Sequence, residues 1–145
     1  GARTVDIATV PFASLAAFDR RYFPAPRDAF LRAWIAQPGA RALAALDSHG
    51  GIIGYGVARP CRVGFKIGPL FAADAATAEA LFLALALTAG GAPVFLDIPE
   101  PNPSAVALVT RHHMEKVFAT ARMYTAGAPE LDVNGIFGVT SFELG

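Results

Sequence analysis

GFKIGPLFAADAATAEALFLALALTA, Gly64 to Ala89, reads as strand, loop and helix in one continuous unit. Val63, Phe65 and Ile67 alternate with Arg62, Gly64 and Lys66, the period of a half-exposed strand. Gly68-Pro69 interrupts it; proline has no N–H to give a ladder, so a bulge or splayed strand is expected here. Ala72-Ala73-Asp74 leads into a helix over Ala75–Ala89, which is apolar all round and expected to be buried on most sides. Gly90-Gly91 ends it. The loop of this unit is the first place to look for a small ligand.

Working outward, Arg3 to Val10 alternates loosely and is expected to form a first strand. Ser14 is expected to cap a helix with Leu15, Phe18 and Tyr22 on one side, broken by Pro24 and Pro26. Asp28 opens a second helix, with Phe30, Leu31, Trp34 and Ile35 at helical spacing, and Gln37-Pro38-Gly39 stops it. Arg41–Leu46 and Ile52–Arg59 have strand character, and Asp47-Ser48-His49-Gly50-Gly51 between them is a hairpin turn by composition. Downstream, Pro93–Ile98 is a short core strand, followed by the stiff Pro99-Glu100-Pro101. Asn102-Pro103 starts a helix expected to reach about Met114, with Asn as cap and Pro at the first helical position. Val117–Tyr124 and Ile136–Leu144 are expected as two more strands, joined by the turn-rich Ala126–Gly135. Helices between strands at the centre and hairpins at both ends predict an α/β (α+β) domain, a mixed sheet with helices on its faces.

The chain of 145 residues has the size of a single domain, taken as residues 1–145. Twelve basic and twelve acidic residues balance, so there is no electrostatic footprint for nucleic acid or an anionic membrane. The apolar run Ala80–Ala92 is shorter than the roughly 20 residues a membrane span needs. A lone cysteine, Cys61, cannot form an internal disulfide, which suits a reducing compartment and predicts a cytoplasmic location. Cys61 has no helix start or His beside it and reads as an inert thiol. His112-His113 are adjacent rather than four apart, so they are not a metal-binding helix pair, and no metal is expected. The chain starts Gly1-Ala2-Arg3 without Met, which suggests a piece of a longer protein. Apolar residues make up 54%, and mean hydropathy is +0.43; that surplus suggests a surface meant for another domain or for a second copy in a homodimer.

The element order, with a proline after the fourth strand, resembles the GNAT N-acetyltransferase superfamily. The local match rests on Phe18-Asp19, Phe30-Leu31, Gly54-Tyr55-Gly56-Val57-Ala58-Arg59-Pro60, Lys66 to Ala72, Phe95 to Pro99, Asn102, Ala121-Arg122-Met123-Tyr124 and the ending Phe137 to Gly145. These look like the C-terminal GNAT-like domain of tandem-GNAT proteins. The resemblance implies a mostly antiparallel sheet of about seven strands with helices on both faces. It implies acetyl-CoA as cofactor, a small-molecule amine as acceptor, and an N-terminal GNAT domain of the same protein as partner.

It also implies roles for residues. Ile67 is the backbone group nearest the thioester, Gly68 is a further cofactor-binding residue, and Leu70 and Phe71 hold the pantetheine arm by backbone hydrogen bonds. Ala76 and Thr77 face the pyrophosphate at the helix start, and Asn102 belongs to the fourth-helix motif. Asp97 and Glu100, at the end of the central strand, are the candidate general bases, with an ion pair to Arg59 or Arg122 as the structural alternative for Asp97. The pyrophosphate loop departs from the family pattern. Its glycine positions fall among Ala73, Ala75 and Thr77, each Cβ limits phosphate approach, and Asp74 brings a negative charge that suits a helix cap better. Val109 stands where the thiolate acid, a Tyr, is expected, and Tyr124 is a distant substitute. Arg59, Arg62 and Lys66 are read as cofactor-phosphate partners or, for at least two of them, a solvated strand face. Three functions follow: an acyl-CoA-dependent N-acyltransferase, a non-catalytic GNAT-like ligand-binding or domain-packing module, and a dimerisation module.

Overall fold

The computed structural model describes residues 2–98, 102–114 and 135–140. Among them a six-stranded sheet forms, in the order β1 (Arg3–Asp6), β2 (Arg41–Leu46), β3 (Ile52–Pro60), β4 (Phe65–Ala72), β5 (Val94–Leu96), with β6 (Ile136–Gly138) also paired to β4. Only β4–β5 is parallel. The expected strand Val117–Tyr124 lies outside the described residues, as do Glu100 and Tyr124. Helices α1 (Phe12–Asp19) and α2 (Asp28–Ile35) join a core with Ala42, Ala44, Tyr55, Val57 and Phe71. Helices α3 (Ala75–Ala86) and α4 (Pro103–Arg111) join a second core with Leu43, Ala45, Ala58, Ile67 and Leu70. Neighbours along β2 divide between the two cores, so the sheet carries helices on both faces.

Several expected boundaries move, each for a local reason. The first strand stops at Asp6, whose side chain takes the Ala8 N–H at 2.9 Å and opens a 3-10 turn, Ile7–Thr9. Helix α1 starts at Phe12 after Pro11, so Ser14 is not its cap. The strand period begins at Phe65 rather than Val63, which is 62% exposed, because Cys61 N–H closes a turn onto Gly64 O at 3.0 Å. Helix α3 gives way to a 3-10 turn at Leu87–Ala89, and it is not buried on every side: Leu83 and Leu87 are exposed. Helix α4 ends at Arg111, ahead of Met114, where His113 takes a positive φ.

The Gly68-Pro69 interruption is where it was expected. Ala58 pairs with Ile67 and Gly56 with Leu70, so Gly68 and Pro69 together face Val57. That extra residue resets the strand period, which is why Ile67 and Leu70, three apart, enter the same core. The Gly68 carbonyl leaves the ladder and accepts the Trp34 Nε1–H at 2.9 Å.

Candidate functional site

β4 and β5 run side by side over Phe65–Ile67 and Val94–Leu96, then diverge. The gap is not open. β6 lies in it, antiparallel to β4, with Leu70 opposite Gly138 and Phe71 opposite Ile136. On the β5 side the Val139 N–H donates to the Asp97 carbonyl at 2.8 Å. Segment Gly135–Thr140 therefore bridges the two strands.

The close fit depends on two missing side chains. A Cβ on Gly68 would run into the carbonyl oxygen of Val139, and one on Gly138 would lie 2.6 Å from Leu96 Cδ1. The bound segment is also held by side chains. Asn102 Nδ2 donates to Ile136 O at 3.0 Å, while its Oδ1 caps α4 by accepting the Ser104 and Ala105 N–H groups. Arg27 Nη2 donates to Thr140 Oγ1 at 3.0 Å.

Five of the residues expected at the cofactor, Ile67, Gly68, Leu70, Phe71 and Asn102, thus converge on one place. They converge on a strand of the chain itself. Ile67 pairs with Leu96 at the fork of β4 and β5. Ala76 and Thr77 lie apart, at the start of α3, where Asp74 Oδ1 accepts the Thr77 N–H at 2.7 Å. The loop amide of Ala73 donates to Ile53 O at 2.8 Å. Two amides of the loop are therefore used within the protein, and the Asp74 carboxylate stands over the helix start. In this conformation neither the strand gap nor the loop fits acetyl-CoA.

Asp97 is at the fork, but its carboxylate is ion-paired with Lys66, both largely buried. Among the described residues the partner is Lys66 rather than Arg59; Arg122 lies outside them. Nor is this a solvated strand face: Arg59 is half-buried with its guanidinium 5.1 Å from the Trp34 ring, and of the three cations only Arg62 is exposed. Val109 is half-buried on α4. His112 is taken by Glu79, Nε2 to Oε1 at 3.0 Å. Among the described residues, no group of His, Cys, Asp or Glu is arranged to hold a metal ion, and no helix is long and apolar enough to cross a membrane.

Reading the sequence for chemistry missed a buried polar network. Asp19 on α1 accepts Arg27 Nε and Nη2, both at 2.9 Å, and the Tyr55 hydroxyl from β3. The side chains of Arg27 and Asp19 are 7% and 1% exposed, so this is a two-point charge pair in the core. Its one sign in the sequence is a carboxylate on the apolar stripe of Leu15, Phe18 and Tyr22, which demands a partner.

Burial, and then the charge of Asp19, hold the Tyr55 hydroxyl well above its ordinary pKa of 10.0. A raised folded-state pKa gives stability that is complete below the unfolded value and is lost as pH rises past it. Tyr55→Phe should cost about 1.5–3 kcal/mol near neutral pH through the lost hydrogen bond to a charged group. The gap between wild type and variant should narrow above about pH 10. Urea midpoints at several pH values check this; a constant gap would contradict it.

The family model for the acetyltransferase (GNAT) domain matches residues 15–138. The chain belongs to the GNAT acetyltransferase domain family. It is 30% identical over 129 residues to the holothin acyltransferase of Pseudoalteromonas sp. (strain SANK 73390), covering 88% of this chain and 44% of that one. The GNAT chain superposes on a Pyrococcus horikoshii protein of the acetyltransferase class with a TM-score of 0.79 at 24% identity, over 98% of this chain and 46% of that one. It superposes on the aminoglycoside 6'-N-acetyltransferase AAC(6')-Ih of Acinetobacter baumannii with a TM-score of 0.68 at 13% identity, over 88% and 100% of the two chains. The latter two likenesses speak for the fold. The chain spans less than half the length of the holothin and Pyrococcus proteins.

Proposed function

We propose that this chain is one GNAT-type domain of an acyl-CoA-dependent N-acyltransferase, the domain that does not carry the acyl-CoA at rest. The observation behind this is β6 in the β4–β5 gap, bound by the residues that would otherwise hold a pantetheine arm. A second GNAT-type domain of a longer cytoplasmic protein carries the acetyl-CoA. The present domain packs on it and helps enclose a small-molecule amine. The share of the holothin acyltransferase and Pyrococcus chains left uncovered supports a partner of similar size. The alanine-rich loop under Asp74 points the same way, because it offers a pyrophosphate a capped helix and no glycine.

A second reading is acyl transfer on this domain itself, with Asp97 or Glu100 as base. It is favoured by the position of Asp97 at the fork, where its carbonyl binds the Val139 N–H. Calorimetric titration with acetyl-CoA separates the two. The first reading expects no saturable heat from this chain and about micromolar binding by the full-length protein. Micromolar binding by this chain alone would sink it.

A further inference from the structure

Near its end, β3 carries a cation that the fold does not pair. Arg59 lies two residues beyond Val57 and so shares the face of the sheet that α1 and α2 cover. It is half-buried and its Nε is enclosed; among the described residues it makes no hydrogen bond and no ion pair. Its guanidinium lies 5.1 Å from the Trp34 ring. Trp34 in turn stacks on Phe30 at 5.1 Å and donates its Nε1–H to the Gly68 carbonyl. Directly across the ladder from Arg59 stands a second cation, Lys66. Like charges placed opposite one another repel. The nearby acid, Asp97, lies two residues past the Phe95 that pairs with Lys66, and it is ion-paired with Lys66 rather than Arg59. Two cations against one carboxylate leave this group with one positive charge. Trp34 on α2 and Phe95 on β5, both half-buried, flank it. A partly desolvated guanidinium with unused donors is costly unless an anion completes it.

We infer that Arg59 anchors a carboxylate, and that the amine this domain helps enclose carries that carboxylate on a flat apolar body. This rests on the reading above that the domain helps enclose a small-molecule amine. The planar fork of a guanidinium suits two-point recognition of a carboxylate. The charge count points the same way. One uncompensated positive charge matches one carboxylate, whereas a phosphate brings about 1.5–2 negative charges at neutral pH. The apolar body of the ligand lies against Trp34 and Phe95. Because Trp34 also holds the Gly68 carbonyl, the anchor is one side chain away from the β4 bulge. No covalent step is involved.

Trp34 is the single tryptophan of the chain, so its fluorescence reads the site directly. Phenylacetate titrated into this chain should change that fluorescence saturably at about millimolar concentration. Phenylacetamide, alike in shape but uncharged, should bind at least about tenfold more weakly, and Arg59→Met should bind phenylacetate weaker by a similar factor. Arg59→Lys should keep the preference for the anion and lose part of the affinity. Inorganic phosphate at equal concentration should not displace phenylacetate. A wild-type chain with no saturable change, or one that binds the two compounds equally, would overturn the anchor. So would wild-type affinity in Arg59→Met, or displacement by phosphate. If Arg59→Met fails to fold, the two compounds compared on wild type and on Arg59→Lys decide. Calorimetry with acetyl-CoA keeps the failures apart. Binding of acetyl-CoA by this chain removes the functional reading above and leaves the preference for phenylacetate standing. A chain silent toward acetyl-CoA that shows no such preference removes the anchor alone.

Discussion

Arg27→Met should lower stability by about 3–5 kcal/mol, because it leaves Asp19 charged and buried with only Tyr55 for support. Two charge-assisted bonds at 2.9 Å disappear, and the remaining hydroxyl cannot replace a guanidinium fork. For a domain of this size each kcal/mol moves the melting temperature by roughly 2–4 °C, so a fall of about 6–20 °C is expected. The double variant Asp19→Leu with Arg27→Met should regain at least half of that. Most of the single-variant penalty is the stranded carboxylate rather than the worth of the pair. Thermal and urea unfolding of the four proteins in this cycle checks it. A single variant within 1 kcal/mol of wild type would show the pair to be far better hydrated than its burial indicates.

Phe71→Ala should be comparably costly, at about 3–5 kcal/mol. Its side chain is fully buried. The ring stacks on Tyr22 at 5.1 Å between centroids and meets Tyr55 edge-on at 5.6 Å. Its backbone pairs with Tyr55 on one side and Ile136 on the other, so the cavity would open where α1, β3, β4 and β6 meet. Phe71→Leu should recover about half the loss, because it refills part of the volume without restoring the ring contacts. Urea midpoints at constant slope would confirm the order wild type, Leu, Ala. Near-equal midpoints would show that Phe71 matters through its backbone alone.

Much of the frame was legible in the sequence because it is local. Asp47 accepts the His49 and Gly51 N–H groups at 2.8 and 2.9 Å, the mechanism by which an Asp-started, glycine-ended turn announces a hairpin. Asp74 and Asn102 cap the helices they were expected to cap. The Gly68-Pro69 bulge follows from a missing N–H. The occupant of the site was not legible. Gly138 reaches Leu70 by a long-range pairing across 68 positions, and Thr140 reaches Arg27 across 113. Both lie in the strand expected over Ile136–Leu144, but the sequence does not say which strands it enters between or which side chain meets Thr140. The same residues that suggested a cofactor arm, Gly68, Leu70, Phe71 and Asn102, do mark the site. They signal an extended chain that needs backbone partners and no Cβ in its way. An extended peptide satisfies that description as well as pantetheine does.

The account therefore turns on what lies between β4 and β5. The most direct measurement is the set of through-space proton contacts in solution between Leu70 and Gly138 and between Phe71 and Ile136, recorded with and without excess acetyl-CoA. The account predicts that both contacts are present and that acetyl-CoA leaves them unchanged in the wild-type chain. Their absence, or their replacement by contacts from Leu70 and Phe71 to the cofactor, would contradict it.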